Sequence, residues 1–155
     1  MIIITIVYLL LMLTLYAVLG LLILLNTITI PIPAIELLLI CGVAGGIGGV
    51  TYCLRGVYLN ASVYDRWSNV WLPWYFLRPI VSFLTGAVSC LFLQAGLIIL
   101  EASPNKAPSH LVYVALAFIA GLNVDKFIQK IEEIAEVTWG IKKSRTSTRE
   151  DKKDD

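Results

Sequence analysis

No acid, base or histidine occurs in residues 1–35, and three further runs, 37–54, 79–100 and 111–124, are equally free of charge. A bilayer hydrocarbon core about 30 Å thick needs roughly 20 apolar residues for each helical crossing. The first three runs reach that length, and the fourth is borderline. With 58% hydrophobic and 15% charged residues and a mean hydropathy of +0.82, the chain is far from a soluble domain, in which about a quarter of residues are charged. The expected fold class is therefore all-α: a polytopic integral membrane protein with four transmembrane helices, at about 2–25, 34–54, 79–100 and 109–122. Most of the 155 residues are spent on crossings, so no folded soluble domain of even about 50 residues fits beside them.

The first run has no Lys or Arg ahead of it and outlasts the 7–15 residues of a signal-peptide core, so it is expected to stay as the first helix. Arg55, Arg66 and Arg78 lie between crossings two and three, and eight of the twelve basic residues follow residue 124. Under the positive-inside rule, the second loop and both termini are then cytoplasmic. Cys41 and Cys53 are twelve residues apart on one helix, about 18 Å, too far to pair with each other. All three cysteines read as small packing residues inside crossings.

Helix two carries Gly42, Gly45, Gly46, Gly48 and Gly49. Gly42/Gly46 and Gly45/Gly49 are overlapping G-x-x-x-G pairs that share one face, as expected where helix backbones approach closely in lipid. The partner helix, in the same chain or in a second copy, is not fixed by the pattern. Helix three is expected to open at Pro79, a good first-turn residue. Its stripe of Ser82, Gly86 and Ser89, with Gln94 nearby, either packs against helix two or lines a wet path, since polar groups in lipid need partners.

The second loop is dense in Trp and Tyr, which favour the membrane–water boundary. Tyr64, Trp67 and Trp71 at helical spacing suggest a short interfacial helix broken near Pro73. Arg66, Trp67, Trp71 and Arg78 are the candidate contacts to lipid headgroups, set against a plain aromatic belt with snorkelling arginines. Asn60-Ala61-Ser62 fits a glycosylation sequon but falls on the expected cytoplasmic side. After the fourth run, Asn123 can cap an amphipathic helix at 123–140, with Phe127, Ile128, Ile131 and Ile134 on its apolar face. Between 124 and 140 two basic residues stand against four acidic ones, the wrong balance for an anionic surface, so self-association or a protein partner is the expected use. Residues 141–155 read as a disordered charged tail.

No catalytic constellation, metal-ligand spacing or cofactor motif occurs, and neither an enzyme, a cofactor nor a nucleic-acid partner is expected. Small multidrug transporters have a similar outline but carry a glutamate within the first helix, which this chain lacks. The block from Trp74-Tyr75-Phe76-Leu77-Arg78-Pro79 through Ala95-Gly96-Leu97, and Ala117-Phe118-Ile119-Ala120-Gly121-Leu122-Asn123, resemble unassigned bacterial four-crossing inner-membrane proteins. That resemblance implies a bacterial or organellar inner membrane and no activity. The sequence thus leaves two functional expectations: a homo-oligomeric pore- or channel-like assembly held by its Gly-rich faces, or a non-conducting scaffold or accessory subunit of a larger membrane complex.

The charge distribution predicts the topology. A cysteine introduced by Asn105→Cys should react with an impermeant thiol reagent added outside intact cells, and one introduced by Thr148→Cys should not; the reverse labelling overturns the orientation.

Overall fold

The computed structural model describes residues 2–25, 27, 30–64, 69–96 and 110–141. All regular structure among these residues is helical: α1 (Ile2–Leu24), α2 (Pro33–Tyr58), α3 (Leu72–Gln94), α4 (His110–Leu122) and α5 (Val124–Trp139). A π-helical turn, Leu59–Val63, extends α2, and a 3-10 turn, Asn69–Trp71, leads into α3. The chain divides into two units, residues 1–123 and 124–155. Three helices, α1, α2 with its π turn, and α3, are long and apolar enough to cross a membrane. A fourth crossing exists only if α4 and α5 are counted together, because the 13 residues of α4 rise only about 20 Å.

In the first unit α2 is the central helix, in contact with α1, α3 and α4. Its glycines explain why. A Cβ built on Gly45 would lie 2.6 Å from the Gly86 Cα, and one on Gly86 would lie 2.7 Å from the Gly45 Cα. One on Gly121 would collide with the Gly45 carbonyl oxygen. Three backbones, α2, α3 and α4, therefore meet at Gly45, Gly86 and Gly121, a contact that no side chain can share. Gly49 abuts Ser82, and Gly48 abuts the α4 backbone at Phe118 and Leu122. Gly42 and Gly46 instead face the rings of Phe83 and Tyr16, which stack on each other at 5.9 Å. The glycine arc is thus wide enough to serve α1, α3 and α4 at once, and these contacts are made within the chain.

Helix α3 differs from its sequence expectation. It starts at Leu72 with Pro73 in its first turn, so Pro79 lies inside the helix and Trp74, Tyr75 and Phe76 belong to α3 rather than to the loop. An interior proline removes one backbone donor and crowds the preceding turn. Two α1 tyrosines bond to the α3 backbone on either side of this turn: the Tyr8 hydroxyl donates to the Phe76 carbonyl (2.9 Å) and the Tyr16 hydroxyl to the Pro79 carbonyl (3.1 Å). A carbonyl can accept a second hydrogen bond through its other lone pair. The tyrosines consequently turn inward, while Ile3, Ile4, Val7, Leu11 and Leu15 remain exposed on the other side of α1. Helix α2 also runs past its expected end, because Arg55 sits in its last turn, where a cation suits the helix dipole.

Gly121 is an α4 packing residue; α4 continues to Leu122, and the helix breaks at Asn123, which alone separates it from α5. In the second unit α5 is amphipathic: Phe127, Ile131 and Ile134 are half-buried, Ile128 is exposed, and Lys130 pairs with Glu133 across one turn at 3.0 Å. An exposed pair of this kind contributes little to stability.

Two predictions follow from the α2/α3 register. Gly45→Ala and Gly86→Ala place a methyl against backbone and should lower stability by about 3 kcal/mol or more. Gly20→Ala meets only a Val43 methyl at 3.2 Å and should be far milder. Equal melting temperatures for the three variants would contradict the packing. Cys41 and Cys90 are buried in one cluster, each a turn from the Gly45–Gly86 contact. In a Cys53→Ala background, copper–phenanthroline oxidation should join them within one chain, read as a compacted band on non-reducing gels that reductant reverses.

Candidate functional site

Beyond the glycine junction, α2 and α3 separate toward the Arg55 end. A half-open cavity of about 630 Å³ lies there, lined by Tyr52, Arg55, Gly56, Leu59, Asn60, Tyr64, Trp71, Trp74 and Tyr75. The last turns of α2 supply Tyr52, Arg55 and Gly56. The π turn then widens the helix by one residue per turn, closed by the Tyr64 N–H donating to the Leu59 carbonyl at 2.9 Å. Such turns are common at functional sites. From the opposite side, Trp71 ends the 3-10 turn and Trp74 and Tyr75 open α3.

The wall is held by its own contacts. The Asn60 side-chain amide donates to the Tyr75 hydroxyl (3.3 Å), bridging the π turn and α3. Trp74 packs edge-on against Tyr75 at 5.1 Å and tilts against Tyr52 at 5.9 Å. Behind this wall lies Arg78, only 5% exposed, its guanidinium carbon 5.1 Å from the Tyr52 ring centre and 5.3 Å from that of Trp74. Two rings of the cavity wall thus contact a buried cation that does not itself line the cavity. Arg55 is an exposed second cation on the wall itself, and no carboxylate occurs among the described lining residues. The described wall thus combines one exposed cation, aromatic faces, phenol and indole groups and one amide.

The headgroup contacts expected from the sequence are partly here. Trp71 is on the cavity wall, 59% exposed, and Arg78 is behind it, reaching the site through two rings. Arg66 and Trp67, with most of the expected interfacial helix, lie outside the described residues. Tyr52, Arg55, Asn60 and Tyr75 were not among the headgroup contacts expected from the sequence. Their signal was present in part, since Tyr52, Arg55, Gly56 and Leu59 follow helical spacing past the end of the uncharged run.

The residues expected to line a wet path are placed differently from one another. Ser82 is fully buried and donates to the Gly121 carbonyl at 3.0 Å; Ser89 is fully buried and donates to the Gly86 carbonyl at 2.7 Å. Gln94 is exposed at the last turn of α3. Within one chain the two serines sit in dry helix contacts, and Gln94 does not join them. Comparison with protein-family models, curated proteins and solved structures gives no match.

Proposed function

We propose that this chain is a non-enzymatic, non-conducting membrane protein that binds the anionic headgroup of a membrane lipid in the Arg55 cavity. One observation carries the reading: a cavity of about 630 Å³ with Arg55 on its wall, Arg78 behind its rings, and no described carboxylate among its lining residues. An exposed juxtamembrane arginine contributes only about 1 kcal/mol toward an anionic headgroup. Arg55 therefore selects the sign of the ligand, and enclosure by Tyr52, Tyr64, Trp71 and Trp74 supplies most of the binding. The arginine-bearing end is the cytoplasmic one under the positive-inside rule, which puts the cavity at the inner leaflet.

A homo-oligomeric pore remains the competing proposal from the sequence. It is less supported, because the glycine arc and Ser82 and Ser89 are engaged inside the chain, leaving no obvious polar wall for a shared channel. A scaffold role is compatible with lipid binding, with α5 as the segment available to a protein partner.

Purified protein titrated with phosphatidylglycerol, read by tryptophan fluorescence and native mass spectrometry, should form a saturable complex. Arg55→Gln should weaken it about fivefold, the equivalent of about 1 kcal/mol, and Trp71→Ala should weaken it further. Vesicles containing the protein should show no ion flux. Flux that scales with protein and falls on Ser89→Leu would replace this reading with the pore.

A further inference from the structure

We infer that the cavity selects a phosphodiester headgroup bearing an uncharged, hydroxyl-rich substituent such as glycerol, inositol or a sugar, in preference to choline, ethanolamine or a bare phosphate. The inference rests on the proposed headgroup site and specifies its ligand. Aromatic walls could in principle cage a quaternary ammonium group, since cations are drawn to ring faces. Here that use is taken. Arg78 lies 5.1 and 5.3 Å from the Tyr52 and Trp74 ring centres, so a second cation on those rings would share them with a guanidinium. With Arg55 on the same wall, a positive headgroup meets like charge from two directions. Zwitterionic lipids are disfavoured by the groups that favour a phosphate.

Size and lining narrow the choice further. About 630 Å³ lies within the range of small-molecule pockets. A bare phosphate would reach Arg55 and leave most of the aromatic wall without a partner. What remains is a combination of ring faces at Trp71 and Trp74 with hydrogen-bonding tips at Asn60, Tyr64 and Tyr75. That pairing matches a polyol or sugar, which has C–H surface for the rings and hydroxyls for the amide and phenols. The Asn60–Tyr75 bond holds two of those tips in place before any ligand arrives.

A lipid is favoured over a soluble phosphate ester by the surface next to the cavity. From Trp74 on the wall, Leu77, Val81, Leu84 and Val88 continue along α3 at helical spacing, and all four are exposed. They form an apolar stripe that starts at the headgroup cavity, where an acyl chain would lie.

The test uses the full chain in detergent with lipids of matched acyl chains: phosphatidylglycerol, phosphatidylinositol, phosphatidic acid and phosphatidylcholine, plus soluble glycerol 3-phosphate and inorganic phosphate. The glycerol and inositol lipids should bind roughly tenfold or more tightly than phosphatidylcholine and several-fold more tightly than phosphatidic acid. The two soluble phosphates should compete only weakly. Asn60→Ala should abolish the advantage over phosphatidic acid while preserving discrimination against phosphatidylcholine. If that variant does not fold, Tyr64→Phe, which removes a hydroxyl from an exposed residue, should reduce the same ratio. Phosphatidic acid binding as tightly as phosphatidylglycerol overturns the selectivity and leaves the anionic site standing, whereas phosphatidylcholine matching either overturns both. Soluble glycerol 3-phosphate binding as tightly as the lipid overturns the acyl stripe. No saturable binding of any anionic lipid removes the proposed function itself.

Discussion

The contact of Gly45 with Gly86 and Gly121 sets the geometry on which the rest of the first unit depends. In lipid, hydrophobic burial does not draw helices together, and close packing and polar satisfaction do that work. Three backbones meeting without side chains allow close packing over a long stretch of α2, and they leave α2 surrounded while α1 keeps an apolar outer face. The same closeness accounts for the serines. Ser82 reaches the Gly121 carbonyl because α3 and α4 are brought within a hydroxyl's length of each other. A polar stripe that in looser helices would need water is satisfied here by protein backbone.

Helix α1 is positioned by a different device. It contributes no glycine junction to this contact, and its two tyrosines instead donate to the α3 backbone carbonyls of Phe76 and Pro79. These two bonds fix the height of α1 against α3. Tyr16 has a second use, since its ring covers Gly46 and stacks on Phe83. One side chain therefore registers α1 against both α2 and α3.

The membrane class and the approximate helix spans were legible in the sequence because uncharged length is a direct consequence of bilayer thickness. The glycine arc was legible as a packing surface, but not the division of its residues among three partners, which depends on where Tyr16, Phe83, Gly86 and Gly121 come to rest. The start of α3 was misplaced for a physical reason. Absence of charge marks the apolar core of a crossing and not the helix, which here begins at Leu72, before Arg78, with Pro73 in its first turn and Pro79 inside it. The cavity was the least legible feature. Arg55 reads as a topology signal and Asn60 as part of a sequon, and only the π turn brings them to the wall that Trp74 and Tyr75 form from the other side.

That the cavity lies at this end follows from the crossing of α2 and α3. They run antiparallel, so Gly45 opposite Gly86 puts Gly49 beside Ser82 and, eleven residues from the junction on each helix, Gly56 beside Tyr75. Eleven residues correspond to about 16 Å along a helix. At the junction the backbones touch, whereas at Gly56 a new Cβ would meet the outer end of the Tyr75 side chain, its hydroxyl at 3.3 Å and the ring edge at 3.5 Å. The length of a tyrosine now separates helices that were in backbone contact about three turns earlier. Such a gap cannot be closed by small residues, and the chain fills it with Tyr52, Trp74 and Tyr75, leaving the half-open volume beyond them. A tight glycine junction and a roomy aromatic site are therefore two ends of one crossing. The rigidity of the first is what gives the second a fixed shape.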